Sequence, residues 1–183
     1  MYYIFNRHLR LWVRQYKVMG TSIDWAIAWS YNDVIFRPHP KLLGYLPYEW
    51  YTVIREPLDR LRSYWTAKIP PKQKDLTFRV MIEQMLEGKF LNPHVTPQWW
   101  LVKDFKKPEV IVQYEKFNEQ KHLIEGKFHP TRLIADVHDN PSPLVIPPKE
   151  LFIKEHAMDL LPDVLVYYKD DYTEWGCYDY PAI

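Results

Sequence analysis

Between Leu9 and Tyr31 the chain changes its period. From Leu9 to Gln15 the residues alternate, with Leu9, Leu11, Val13 and Gln15 on one side and Arg10, Trp12 and Arg14 on the other. A two-residue period predicts a β-strand. From Ile23 to Trp29 the apolar residues take helical spacing. The two periods are joined by Lys17-Val18-Met19-Gly20-Thr21-Ser22. Gly20 lacks a Cβ, so the backbone there can approach a ligand closely. The first N–H groups of the following helix have no partner within it, and its dipole favours negative charge. Lys17 adds a full positive charge, and Thr21 and Ser22 add hydroxyl donors. The stretch is therefore a candidate anion site. It is shorter than the Walker A loop, which sets a second Gly before its Lys. Read alone, a Lys and a Gly before a capped helix need be no more than a connection.

The same alternation of elements continues along the chain. Asp33 to Arg37 reads as a second strand, stopped by Pro38-His39-Pro40, where proline forbids helix and forces a turn. Trp50 to Ile54 reads as a third strand, apolar on both faces as a central parallel strand would be. Arg55 stands at its carboxyl end. Pro57 then fits the first turn of a helix, with Leu58, Leu61 and Trp65 on one side and Arg60, Ser63 and Ala67 on another. Thr77 to Leu86 is helical, with Gly88 as its stop. Asn92 to Trp100 is a proline-bounded loop dense in polar and aromatic groups. Glu109 to Tyr114 reads as a strand and Lys116 to Ile124 as a helix. His129 to Pro148 is irregular. Glu150 to Leu161 and Asp163 to Trp175 read as two closing helices divided by Pro162, with Gly176 as a cap. Strands alternating with helices predict an α/β layered fold with a mostly parallel sheet, and the length of 183 residues predicts a single domain.

Composition excludes several classes of function. A net charge of +1 gives no general attraction to nucleic acid, so any anion site must be local. Cys177 is the sole cysteine, so neither an intrachain disulfide nor a cysteine metal cluster is expected. No apolar run approaches the roughly 18 residues of a membrane span, and no signal-peptide pattern is present. The expectation is a cytoplasmic chain without a membrane anchor. His122, His129, His138 and His156 show no ligand spacing. Asp170 and Asp171 read as a solvated helix face. Trp99-Trp100 and Tyr167-Tyr168 read as core rather than as a binding platform.

Four stretches, taken in order, resemble the sulfotransferases that use 3′-phosphoadenosine 5′-phosphosulfate. Lys17 to Ser22 is similar to their 5′-phosphosulfate loop, Pro-Lys-x-Gly-x-Thr-Ser, with Tyr16 in place of the proline. Val53 to Trp65 resembles their 3′-phosphate motif, Val-Arg-Asp/Glu-Pro-x-x-Arg-x-x-Ser-Tyr. Asn92-Pro93-His94-Val95-Thr96-Pro97-Gln98 is similar to the His-Trp-x-Pro-Gln loop of the Golgi carbohydrate branch. Val166 to Trp175 resembles the closing Tyr-x-x-Asp-Tyr-x-x-Phe helix of that branch. Arg37 to Leu43 with Leu46-Pro47 resembles the Lys-Thr-His-Leu-Pro segment of the cytosolic branch, whose histidine is the catalytic base.

The resemblance implies a three-layer P-loop-like fold, with a mostly parallel central sheet flanked by helices. It implies transfer of a sulfuryl group to a hydroxyl or amine, with a saccharide as the expected acceptor. Lys17, Gly20, Thr21 and Ser22 would hold the 5′-phosphosulfate, Lys17 also neutralising the leaving oxygen. Arg55 and Ser63 would hold the 3′-phosphate. His39 is the first candidate for the base and His94 the second, since imidazole titrates near neutral pH. No metal is expected, because transfer of this kind is mostly positioning and charge stabilisation. Arg60 reads as structural, paired with Glu56 or Asp59. Two other readings stand beside this one: an ATP-dependent kinase-like transferase, and a non-catalytic nucleotide-binding module of the same fold.

Overall fold

The computed structural model describes residues 2–5, 10–13, 49–68, 76–125, 127 and 146–181. Lys17, Gly20, Thr21, Ser22 and His39 lie outside the described residues, as do the strand expected over Asp33–Arg37 and the helix expected from Ile23. The elements in chain order are β1 (Tyr2–Phe5), β2 (Arg10–Val13), β3 (Glu49–Ile54), α1 (Pro57–Lys68), α2 (Phe78–Leu86), β4 (Val110–Gln113), α3 (Phe117–Gln120), α4 (Pro148–Lys154), α5 (Leu161–Tyr167) and α6 (Lys169–Thr173). They fall into two compact units, one of Met1–Arg55 with Val102–His138, the other of Glu56–Leu101 with Asp139–Ile183. Among the described residues no helix is long and apolar enough to cross a membrane.

The first unit holds a sheet of order β1-β2-β3-β4. β2, β3 and β4 run parallel and β1 is antiparallel to β2. β3 is thus the central parallel strand that its two apolar faces predict, and Trp50 to Ile54 are all buried. Leu11, Trp12 and Val13 of β2 are equally buried. The alternation around Trp12 marks a strand covered on both sides, not one with a wet face. The buried Thr52 hydroxyl donates to the Val13 carbonyl at 2.8 Å, so a polar side chain in the sheet has its partner. The Trp50 indole N–H donates to the Lys106 carbonyl at 2.6 Å and its ring meets Phe105 edge-on at 5.7 Å. β1 had no clear signal in the sequence; it exists through its pairing with β2.

The second unit is helical. Phe78, Met81, Ile82 and Met85 recur at helical spacing and are all buried. They pack with Leu58, Leu61, Tyr64 and Trp65 of α1, Leu151 and Phe152 of α4, and Leu161, Val164 and Leu165 of α5. Phe78 meets Trp65 and Phe152 edge-on, at 5.3 and 5.1 Å, the favoured aromatic geometry. Thr77 caps α2 by accepting the Val80 N–H at 3.2 Å. Gly88 ends it at φ +71, and Gly176 follows the last helix at φ +62, both as expected of C-terminal glycines. Pro162 does not divide the closing helices. It sits in the first turn of α5, where a missing N–H costs nothing. The break comes earlier, at Glu155–Ala157, where His156 takes a positive φ of 51.

Candidate functional site

In the first unit the parallel strands bring their carboxyl ends to one edge. Val13 registers with Thr52, and Ile54 with Gln113. Arg55 leaves the central strand at that edge, and Val13, the last described residue of the neighbouring strand, lies at the same edge. In open parallel sheets this is the side where ligands bind. The Arg55 guanidinium lies over the Tyr114 ring, 4.2 Å from its centroid. A guanidinium so placed keeps a fixed positive charge at this edge, and its planar fork of donors is the group best suited to a bidentate hold on an oxyanion.

In the second unit the N-terminus of α1 is closed by the chain itself. Glu56 Oε2 accepts the Asp59 N–H at 2.5 Å, and Glu56 Oε1 accepts the Tyr172 hydroxyl. Ser63, half-buried, lies farther along α1. Next to it Tyr64 is buried and stacks on His94, with ring centroids 5.5 Å apart and an 18° tilt. Asn92 sets this geometry: its amide donates to the Tyr64 oxygen at 2.7 Å and its Oδ1 accepts the His94 N–H at 2.9 Å. The Asn92 carbonyl accepts the N–H groups of Val95 and Thr96, each at 3.0 Å. Asn-Pro-His thus forms a side-chain-closed turn that fixes the imidazole.

Arg60 is the hub of the unit, and its surroundings differ from those read in the sequence. It is fully buried and pairs with Asp171 at 3.3 Å, not with Glu56 or Asp59. Asp59 pairs with Arg62 instead. A second Arg60 N–H donates to the His94 carbonyl at 3.1 Å. Asp171 is not on a solvated face: it is 1 % exposed. Besides Arg60, it accepts the backbone N–H groups of Gln98 at 2.8 Å and Trp99 at 2.7 Å. One buried ion pair therefore ties α1, the His94 loop and α6 together. Asp171 had a signal in its spacing, because it falls three residues after Tyr168 and seven after Val164, on the buried stripe. A carboxylate on an apolar stripe demands a cation, and Arg60 is that cation.

Trp100 also departs from expectation. Tyr168 is core, fully buried, and its hydroxyl donates to the Val95 carbonyl at 2.6 Å. Trp99 is half-buried against Trp175, edge-on at 5.3 Å. Trp100 is exposed.

Burial pushes the Glu56 carboxyl above its ordinary value of 4.5, opposed by the hydrogen bonds from Tyr172 and the Asp59 and Leu58 N–H groups. Burial also pushes Asp171 up, opposed by the Arg60 charge and by its two backbone donors. The folded state thus holds the Glu56 proton more tightly than the unfolded chain does. That contribution to stability is full below 4.5 and is lost as pH rises through the raised value. Glutamine does not titrate. In urea titrations the stability of the parent relative to Glu56→Gln increases as pH falls from 7 to 4.5. A difference that is flat, or that shrinks on acidification, contradicts the assignment.

Of the residues proposed from sequence, Arg55 lies at the carboxyl edge of the sheet in the first unit. Ser63 and His94 lie in the second. Compared with family models, with curated proteins and with solved structures, the chain matches none.

Proposed function

We propose that this chain is a sulfotransferase that takes 3′-phosphoadenosine 5′-phosphosulfate as donor and a hydroxyl-bearing acceptor, a saccharide above all. The observation that carries this reading is Arg55. It leaves the central of three parallel strands at their carboxyl edge and lies over the Tyr114 ring, as a phosphate-gripping arginine in an α/β sheet would. The three parallel strands are what supports a P-loop-like architecture, and its three layers are part of the proposal. Arg55 and Ser63 would bind the 3′-phosphate, and Lys17, Gly20, Thr21 and Ser22 the 5′ end. The donor supplies an activated sulfuryl group. Lys17 would neutralise the oxygen released from sulfur, and His39 would take the proton of the attacking hydroxyl. His94, whose backbone and ring are held by Arg60, Asn92 and Tyr64, is the second candidate for that proton.

Thermal unfolding with adenosine 3′,5′-bisphosphate, and separately with ATP and magnesium, tests the reading. A ligand at a hundredfold excess over its Kd stabilises by about 2.7 kcal/mol, or roughly 5–10 °C for a chain of this size. The bisphosphate is expected to give such a shift and ATP with magnesium much less. The reverse order supports a kinase-like transferase, and no shift with either removes the nucleotide site. A bisphosphate shift without sulfuryl transfer to any acceptor supports the non-catalytic module.

A further inference from the structure

The exposed indole of Trp100 is fixed in place. The residue is 44 % exposed, yet its N–H donates to Asp170 Oδ2 at 2.9 Å and it makes an edge-on ring contact with Tyr167 at 5.3 Å and 62°. The backbone beneath it is held as well, since Asp171 takes the N–H of Trp99, the residue before it. Val166, 65 % exposed, is the neighbour of Tyr167 at the end of α5, and Asp170 lies in the first turn of α6. A large apolar ring left in water is ordinarily free to turn; this one is clamped by a carboxylate that keeps further acceptor lone pairs.

We infer that Trp100, Tyr167, Val166 and Asp170 form a platform for a neutral saccharide. The apolar face of a pyranose stacks on the indole, and its hydroxyls donate to Asp170. Three observations favour a sugar over a protein. The apolar surface is two large side chains, far short of the roughly 800 Å² per partner of a stable protein interface. The ring and the acceptor are preorganised, which suits a ligand that contributes few contacts. The carboxylate favours hydroxyl donors and disfavours uronate or sulfate groups beside it. As the acceptor subsite of the transfer reaction the platform rests on the function proposed above; as a glycan site it does not.

The test is made on the full chain without any nucleotide. Neutral hexasaccharides of glucose, N-acetylglucosamine, galactose and mannose are titrated while the indole N–H signals are followed by NMR, that of Trp100 being identified by its loss in Trp100→Phe. At least one hexasaccharide is expected to move the Trp100 signal saturably. Trp100→Ala is expected to weaken that binding by about tenfold or more, at an unchanged melting temperature. Val166→Glu, a change on an exposed helix position, is expected to weaken it as well, so the test does not depend on one variant folding. The inference is overturned if none of the four sugars moves the signal, or if binding survives both substitutions. It is also overturned if the signal moves with protein concentration alone, which would assign the patch to a second copy of the chain. Failure here leaves the bisphosphate shift untouched, and failure of that shift leaves glycan binding untouched.

Discussion

Asp171→Ala is expected to destabilise the protein by about 3–5 kcal/mol, the usual effect of breaking a buried ion pair from one side. Equilibrium urea unfolding measures it. The carboxylate serves three donors, and its removal strands all of them in the interior: the Arg60 guanidinium and the N–H groups of Gln98 and Trp99. The last two make this pair unlike a simple salt bridge. Replacing a buried ion pair by two apolar side chains is often neutral or stabilising. Here the combination Arg60→Met with Asp171→Leu is expected to remain destabilised, because each orphaned backbone N–H costs about 1–3 kcal/mol. Asp171→Asn, which keeps one acceptor, is expected to fall between alanine and the parent. Asp170→Ala, one residue away and bonded at the surface to Trp100, is expected to cost less than about 1 kcal/mol. If Asp171→Ala is as mild as Asp170→Ala, the hub is not what holds the helical unit together.

Arg55→Ala is expected to weaken binding of adenosine 3′,5′-bisphosphate by about 2 kcal/mol or more, the worth of a hydrogen bond to a charged group. That is roughly a thirtyfold rise in Kd, measurable by calorimetry. Arg55→Lys is expected to recover only part of it, since an ammonium is a point charge without a planar, two-pronged donor. Arg55 follows the last residue of β3 and is only half-buried, so the melting temperature without ligand is expected to change little. Unchanged affinity takes Arg55 out of the site.

Local rules carried a large share of the architecture. The central strand was visible because Trp50 to Ile54 is apolar on both faces, and α2 because Phe78, Met81, Ile82 and Met85 keep one period between Thr77 and Gly88. What local rules missed is settled by distant partners. β1 is a strand because β2 is beside it. Arg60 follows two carboxylates in sequence, Glu56 four residues before it and Asp59 immediately before it, and a local pairing with one of them is the obvious reading. Instead Glu56 closes the helix N-terminus and Asp59 pairs with Arg62, which leaves Arg60 for Asp171, 111 residues away. Proline at 162 was legible as a feature but not in its sense, because the same residue ends one helix or begins the next, and only the break at His156 decides. The loop of His94 was legible as a cluster; that Tyr64 and Asn92 hold its ring was not, since stacking leaves no mark in sequence spacing.

The helical unit is written in two separated instalments, Glu56–Leu101 and Asp139–Ile183. As the chain emerges from the ribosome, the first instalment appears with its greasy sides bare and with Arg60 lacking its counter-ion. Leu161, Val164, Leu165, Tyr168 and Asp171, which cover them, are translated only after the whole stretch that separates the two instalments. The nascent chain must wait for the second instalment before this unit can close. A premature stop upstream of Leu161 would therefore yield a sticky fragment exposed to chaperones and proteases, not a smaller working protein.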